Sequence, residues 1–107
     1  MKTYITLMLA MLSFTAHATE WTEPKLVERI HITSNGTYYF KVANGWGAPG
    51  CMEAPYIFLR KNEAAASEAI LSVILASQAT GRVIKARGTC YDKAHFKLEY
   101  IIQMESK

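Results

Sequence analysis

Two cysteines, Cys51 and Cys90, constrain the fold of this chain more than any other sequence feature, because they predict a single disulfide. The bond would close a loop of about forty residues around the strongest helical segment and would contribute on the order of 4 kcal/mol to stability. A reactive or intermolecular pair is the alternative, but no C-x-x-C spacing typical of redox sites is present. The sequence therefore predicts a cross-linked domain that folds in an oxidising compartment.

The first 18 residues have the pattern of an export signal. Lys2 supplies a positive charge, residues 4–12 form an apolar run, and Ala16 and Ala18 give an A-x-A cleavage site. The run is far shorter than the roughly 20 residues of a membrane span, so a cleaved signal is favoured over a retained anchor. We therefore predict one domain over residues 19–107, exported to the periplasm or secreted, without a membrane span.

Charge and length narrow the class of protein further. The 107 residues carry a net charge of +3, and removal of residues 1–18 takes away Lys2 and no acidic residue. Lys and Arg are not clustered in the way that a nucleic-acid surface requires, so no nucleic-acid partner is predicted. A chain this short can build only a small hydrophobic core. Small domains commonly gain further stability from homo-oligomerisation in addition to a disulfide, so a homo-oligomer is expected.

Hydrophobic periodicity predicts five strands and one helix. Asn35-Gly36 between the first two strands is typical of a tight hairpin. In the last strand, Phe96, Leu98, Tyr100 and Ile102 are expected to share one face. The predicted strands are residues 26–32, 38–42, 56–59, 82–89 and 95–104, and the helix is residues 63–80.

The predicted helix begins after Asn62 as N-cap and ends at Gly81. Its apolar residues cover more than one stripe, so it either lies deep in a core or packs onto a partner. The order β-β-β-α-β-β along the chain predicts a mainly β fold with one helix, a five-stranded antiparallel OB-like barrel. An open α+β sheet with one packed helix is the alternative.

Four short motifs resemble the pentameric receptor-binding B subunits of bacterial toxins, of the subtilase-cytotoxin and pertussis-like type. They are Glu20-Trp21-Thr22 after the signal, a Tyr-rich second strand, a helix ending in Thr80-Gly81, and a following strand that begins Arg82-Val83-Ile84. The resemblance implies an OB-fold, a homo-pentamer around a helix-lined centre, and binding of cell-surface glycans. The segment after Trp21 is shorter than in that family and the cysteine pattern differs, so its sugar-binding residues are not carried over.

The Gly-rich segment 44–50 contains the first candidate binding residues. Trp46 would stack on a sugar ring, while Asn44 and Tyr38 would supply hydrogen bonds. The alternative is that Trp46 folds back as a lid on the core. The disulfide would bring this segment close to the Tyr91-Asp92 turn, so both turn residues are predicted to line the same site.

Catalysis is not predicted. His31 and His95 lack the short spacing of zinc ligands, and no G-x-S-x-G motif is present. Asp92 and Glu99 lie in a predicted turn and on a polar strand face, where acids are usually solvated. We expect no metal and no cofactor.

The sequence therefore favours an exported, non-catalytic module that binds a glycan. A periplasmic or secreted protein-binding domain, such as an inhibitor of a secreted hydrolase, is the alternative. Lys85 and Arg87 share one predicted strand face and are compatible with an acidic ligand or with an ordinary solvated surface.

Overall fold

The computed structural model describes residues 19–105, and the predicted export signal lies outside this range. A 3₁₀ turn, Lys61–Glu63, precedes the helix. The helix is α1 (Ser67–Thr80), and the strands are β1 (Glu20–Trp21), β2 (Arg29–Ile32), β3 (Thr37–Lys41), β4 (Tyr56–Arg60), β5 (Ile84–Cys90) and β6 (His95–Gln103). The predicted class, mainly β with one helix, is confirmed.

The six strands form one sheet in the order β1-β5-β6-β4-β3-β2. Neighbours are antiparallel except β4 and β6, which are parallel because the chain leaves β4, passes through α1 and returns along β5. The five-stranded antiparallel barrel is therefore not confirmed, since the sheet has six strands, is mixed, and has β1 and β2 at its edges. Strand β1 was missed because two residues are too few to show a periodicity.

The first hairpin forms where the sequence predicts it. Gly36 has φ +91°, a left-handed conformation that glycine adopts without strain. The Thr33 amide donates a 2.9 Å hydrogen bond to the Thr37 carbonyl and closes the turn. Ile32 then pairs with Tyr38, which sets the register of β2 and β3.

One face of the sheet and one side of α1 enclose the hydrophobic core. The buried face of the helix contributes Ile74, which has no exposed surface. The sheet and its connections contribute the other core residues: Val27, Tyr38, Phe40, Val42, Trp46, Ala48, Ile57, Leu59, Ile84, Ala86, Phe96 and Leu98.

The helix starts four residues later than predicted. Asn62 lies in the 3₁₀ turn, and Ala66 precedes α1 without a side-chain cap. Gly81 ends the helix as expected, with φ +74° and its amide donating to the Ser77 carbonyl. Val73 and Leu75 stay exposed, so the helix buries only part of its apolar surface.

A bulge in β6 changes which residues share a face. Gly88 pairs with Leu98 and Arg87 pairs with Tyr100, so Glu99 has no partner between them. The extra residue reverses the alternation, and the shared face predicted for residues 96–102 is therefore wrong. Leu98 points into the core, whereas Tyr100 is exposed.

The predicted Cys51–Cys90 disulfide is present, with 5.9 Å between the Cα atoms. It joins the segment after Trp46 to the end of β5. Nearby, the Gly50 amide donates a 2.6 Å hydrogen bond to Oε1 of Glu20, which ties the same segment to β1. Within residues 19–105, no helix has the length and apolar character needed to cross a bilayer.

Candidate functional site

The outer face of the sheet, turned away from the core, carries a group of aromatic rings that we call the aromatic cluster. The strand register explains how they meet. His31 pairs with Tyr39, Tyr39 with Phe58, and Tyr56 with His95. Directly opposite residues share a face, so four strands contribute to one surface. The members of the cluster are His31, Tyr39, Tyr56, Phe58, Tyr91 and His95.

Most rings in the cluster meet edge to face. The ring centroids of Tyr39 and Tyr56 are 6.1 Å apart with an interplanar angle of 78°, and only Tyr56 and His95 stack, at 5.5 Å. Such pairs contribute about 0.5–1.5 kcal/mol each beyond the area they bury. The neighbouring rings cover Phe58, which is buried although it lies on the outer face.

Tyr91 is the most accessible ring of the cluster, with 57% of its surface exposed. Its ring meets Phe58 edge to face at 5.0 Å. The Arg60 guanidinium lies 5.0 Å from the Phe58 centroid, and the neighbouring Tyr91 hydroxyl raises the pKa of Arg60. Tyr91 is therefore anchored on one side and open to solvent on the other.

Asp92 is the acidic group of the site. Its Oδ1 lies 2.8 Å from Nδ1 of His95 and accepts a 2.9 Å hydrogen bond from the Ala94 amide. The hydrogen bond with His95, followed by that from Ala94, holds the pKa of Asp92 below its ordinary value. The carboxylate is therefore ionised at neutral pH, and both hydrogen bonds end on Oδ1.

Two depressions meet at Tyr91 and Asp92. The smaller, of about 110 Å³, lies over the aromatic cluster and is also lined by Arg60. The larger is a shallow hollow of about 870 Å³ that extends over the Cys51–Cys90 disulfide towards Glu20. The turn that begins at Tyr91 thus forms a ridge between two concave surfaces.

The other predicted binding residues lie away from this ridge. Trp46 has 0% of its surface exposed, and its Nε1 donates a 3.1 Å hydrogen bond to the Phe40 carbonyl, the arrangement of a core lid. Tyr38 is 6% exposed and points into the core, so its neighbour Tyr39 is the one on the outer face. Asn44 is exposed but lines neither depression.

No protein-family model, curated protein or solved structure matches this chain.

Sequence reasoning missed most of the aromatic cluster. The two histidines of the cluster, His31 and His95, are far apart in the chain, yet both contact Tyr39 and Tyr56. Alternation within each strand was a usable signal for which residues share a face. It did not show that β6 lies beside β4, which is the pairing that brings His95 to Tyr56.

The site combines hydrogen-bonding groups with aromatic surface. It offers tyrosine hydroxyls, an ionised carboxylate, imidazole nitrogens and one accessible ring. Among residues 19–105, no three His, Cys, Asp or Glu side chains come close enough together to hold a metal ion. The surface is shallow, so it suits part of a larger ligand better than an enclosed small molecule.

Proposed function

We propose that this protein is an exported glycan-binding module whose site is the Tyr91-Asp92 ridge and the adjoining aromatic cluster. The observation that carries the proposal is the accessible Tyr91 ring, anchored against Phe58 and Arg60 between two depressions. Sugars present C–H faces that pack on such rings, and their hydroxyls need polar partners around the ring.

The polar partners are within reach of a sugar placed on Tyr91. Asp92 accepts hydrogen bonds from sugar hydroxyls through Oδ2, because Oδ1 already binds His95 and Ala94. Tyr39 lines the small depression and offers a hydroxyl as donor or acceptor. The disulfide at Cys90 fixes the start of the turn and so limits the entropy lost when a ligand orders it.

The protein-binding alternative depends on the Trp46 loop as a plug. With Trp46 buried beneath the loop, that loop supplies no aromatic anchor for a partner. We therefore favour the glycan.

We also propose that the resemblance to toxin B subunits extends to fold and assembly. The strands at the two sheet edges, β1 and β2, belong to one continuous segment, and Lys25 between them exchanges two 2.9 Å backbone hydrogen bonds with Ile84. This continuity supports an OB-like barrel in which residues 20–32 act as one bent strand. The exposed Val73 and Leu75 of α1 support a homo-oligomer, a pentamer if the resemblance holds.

A glycan array on the purified protein tests the function. Wild type should bind a defined set of glycans, and Tyr91→Ala should lose the signal while its circular dichroism spectrum stays unchanged. Tyr100→Ala is the matched control, because Tyr100 has similar exposure but lies outside the cluster. Equal binding by both variants, or no binding by wild type, would reject the proposal.

The proposed homo-oligomer is tested by a separate measurement. Gel filtration with light scattering should give a single oligomer. If the protein is a monomer at all concentrations, the proposed homo-oligomer is rejected, whatever the glycan array shows.

A further inference from the structure

The outer face of the sheet is strongly cationic. All six Lys and Arg residues within the strands lie on it, whereas the strands contain only two acidic residues, Glu20 and Glu99. Glu99 is the unpaired residue of the β6 bulge. The six cations are Arg29, Lys41, Arg60, Lys85, Arg87 and Lys97.

Two of these cations face each other directly. Arg29 of β2 and Lys41 of β3 are cross-strand partners. Like charges in directly opposite positions destabilise a sheet. Among residues 19–105, neither side chain makes an ion pair with an acidic group, so no ion pair within this range offsets the repulsion. An anion supplied by a ligand would compensate it.

Two other cations already share an anion. The Glu63 carboxylate lies 3.5 Å from Nη1 of Arg60 and 3.5 Å from Nζ of Lys97, through the same Oε1 atom. All three side chains are partly exposed, and ion pairs of this kind are weak. Glu63 therefore marks a position where an external carboxylate or sulfate finds two positive partners once Glu63 turns away.

We propose that the outer face binds a polyanionic polysaccharide, a linear chain with a carboxylate or sulfate on most of its sugars. The proposal rests on the glycan function and assigns its ligand class. The Arg29/Lys41 pair lies on β2 and β3 and the Arg60/Lys97 pair on β4 and β6, so the two pairs border the aromatic cluster at diagonally opposite corners of the row of four strands from β2 to β6. At about 4.8 Å per strand, this row spans roughly 15 Å, enough for several sugar units.

The rings themselves favour a sugar chain over a nucleic acid. Single-stranded nucleic acids stack their bases on flat, open rings. Tyr91 is the one accessible ring of the cluster, whereas Tyr39, Tyr56 and Phe58 pack against neighbouring rings edge to face, tilted or, for Tyr56 on His95, stacked. A single open ring does not form the row of platforms on which successive bases stack. Hydroxyl groups and ring edges remain for contact, and these suit sugar hydroxyls and C–H groups.

The direct test is titration of the purified protein with four polymers: a sulfated heparan-type chain, a polyuronate, neutral dextran, and single-stranded DNA of equal charge. The two anionic polysaccharides should bind, and dextran should not. With four cations engaged, affinity for a chain as densely charged as a nucleic acid should fall roughly 50- to 150-fold between 50 and 200 mM salt. Binding of the sulfated chain alone would narrow the ligand to sulfate.

Charge-matched variants locate the surface. Arg29→Gln with Lys41→Gln should weaken binding about tenfold and flatten the salt dependence. Lys25→Gln with Lys61→Gln removes the same charge from residues that pair with Glu23 and Glu68, and should change affinity less than twofold. Equal losses in the two double variants would mean attraction by net charge alone and would overturn the proposal.

Glu63→Gln is expected to increase the affinity for a polyanion, a change that a purely structural role of Glu63 would not produce. Removing the internal anion should strengthen polyanion binding roughly two- to fivefold, since two weak ion pairs no longer compete. Weaker binding would contradict the proposed displacement.

The outcomes separate this inference from the glycan function. Binding of a neutral glycan with no salt dependence would overturn the polyanion proposal and leave the glycan site standing. DNA binding as tight as that of the sulfated chain would also overturn it, in favour of a nucleic-acid ligand. Absence of binding to every glycan would reject both.

Discussion

Substitution of Trp46 tests most directly whether this side chain is a core residue or a ligand-binding residue. Its ring is fully buried, and its Nε1 donates a 3.1 Å hydrogen bond to the Phe40 carbonyl. Trp46→Phe removes that donor at a net cost of about 1–2 kcal/mol. The smaller ring also leaves a void on the order of 40 Å³, which costs about 1 kcal/mol. We expect the free energy of unfolding to fall by about 2–3 kcal/mol, a large share of the 5–15 kcal/mol typical of a domain.

Urea unfolding followed by far-ultraviolet circular dichroism measures this loss without relying on tryptophan emission. The melting temperature should drop by roughly 10–20 °C. Trp21→Phe is the control, because Trp21 is only half-buried and packs against Tyr100 on the outer face, so a much smaller loss is expected. If Trp46→Phe kept wild-type stability but lost glycan binding, the ring would be a ligand contact and the core assignment would be refuted.

Three further changes test the framework around the site. Replacing Cys51 and Cys90 together by serine should lower the free energy of unfolding by roughly 4 kcal/mol, as expected for a loop of 39 residues, and an unchanged urea midpoint would contradict this. Gly81→Ala should cost about 1 kcal/mol through backbone strain alone, because φ is +74° and no atom lies near the added Cβ; a gain in melting temperature would refute it. The hydrogen bonds with His95 and Ala94 lower the pKa of Asp92 in the folded protein. They therefore stabilise the fold at pH values above 3.8, the ordinary pKa of the carboxyl group, and this stabilisation is lost as the pH falls through the lower pKa of the folded state. The difference in melting temperature between wild type and Asp92→Asn should therefore be largest near neutral pH and vanish in strong acid, and a difference that grows with acidification would reject this account.

Local signals in the sequence were sufficient for five of the six strands, for the first hairpin turn and for the end of the helix. The Asn35-Gly36 turn and the Gly81 helix end follow from the backbone freedom of single residues, so no distant contact is needed to predict them. The Cys51–Cys90 pairing was predictable because two cysteines allow one intramolecular bond. The start of α1 was mispredicted because Lys61–Glu63 forms a separate 3₁₀ turn, and Ala64 after it is extended, which divides Glu63 from the helix.

Only the tertiary structure decided the order of the strands and therefore the surface. The parallel pairing of β4 with β6 places His95 beside Tyr56, although 39 positions separate them in the chain. The bulge at Glu99 moved Tyr100 to the outer face, and burial of the loop ring placed Trp46 in the core. Alternation along a strand tells which residues share a face of that strand. It carries no information about which strand lies next to it, because neighbours are chosen by the packing of the whole core. The sequence by itself therefore determined five of the six strands, the end of the helix, the cross-link and the Tyr91-Asp92 turn. The assembly of the aromatic cluster and the cationic face beneath that turn was a consequence of tertiary packing.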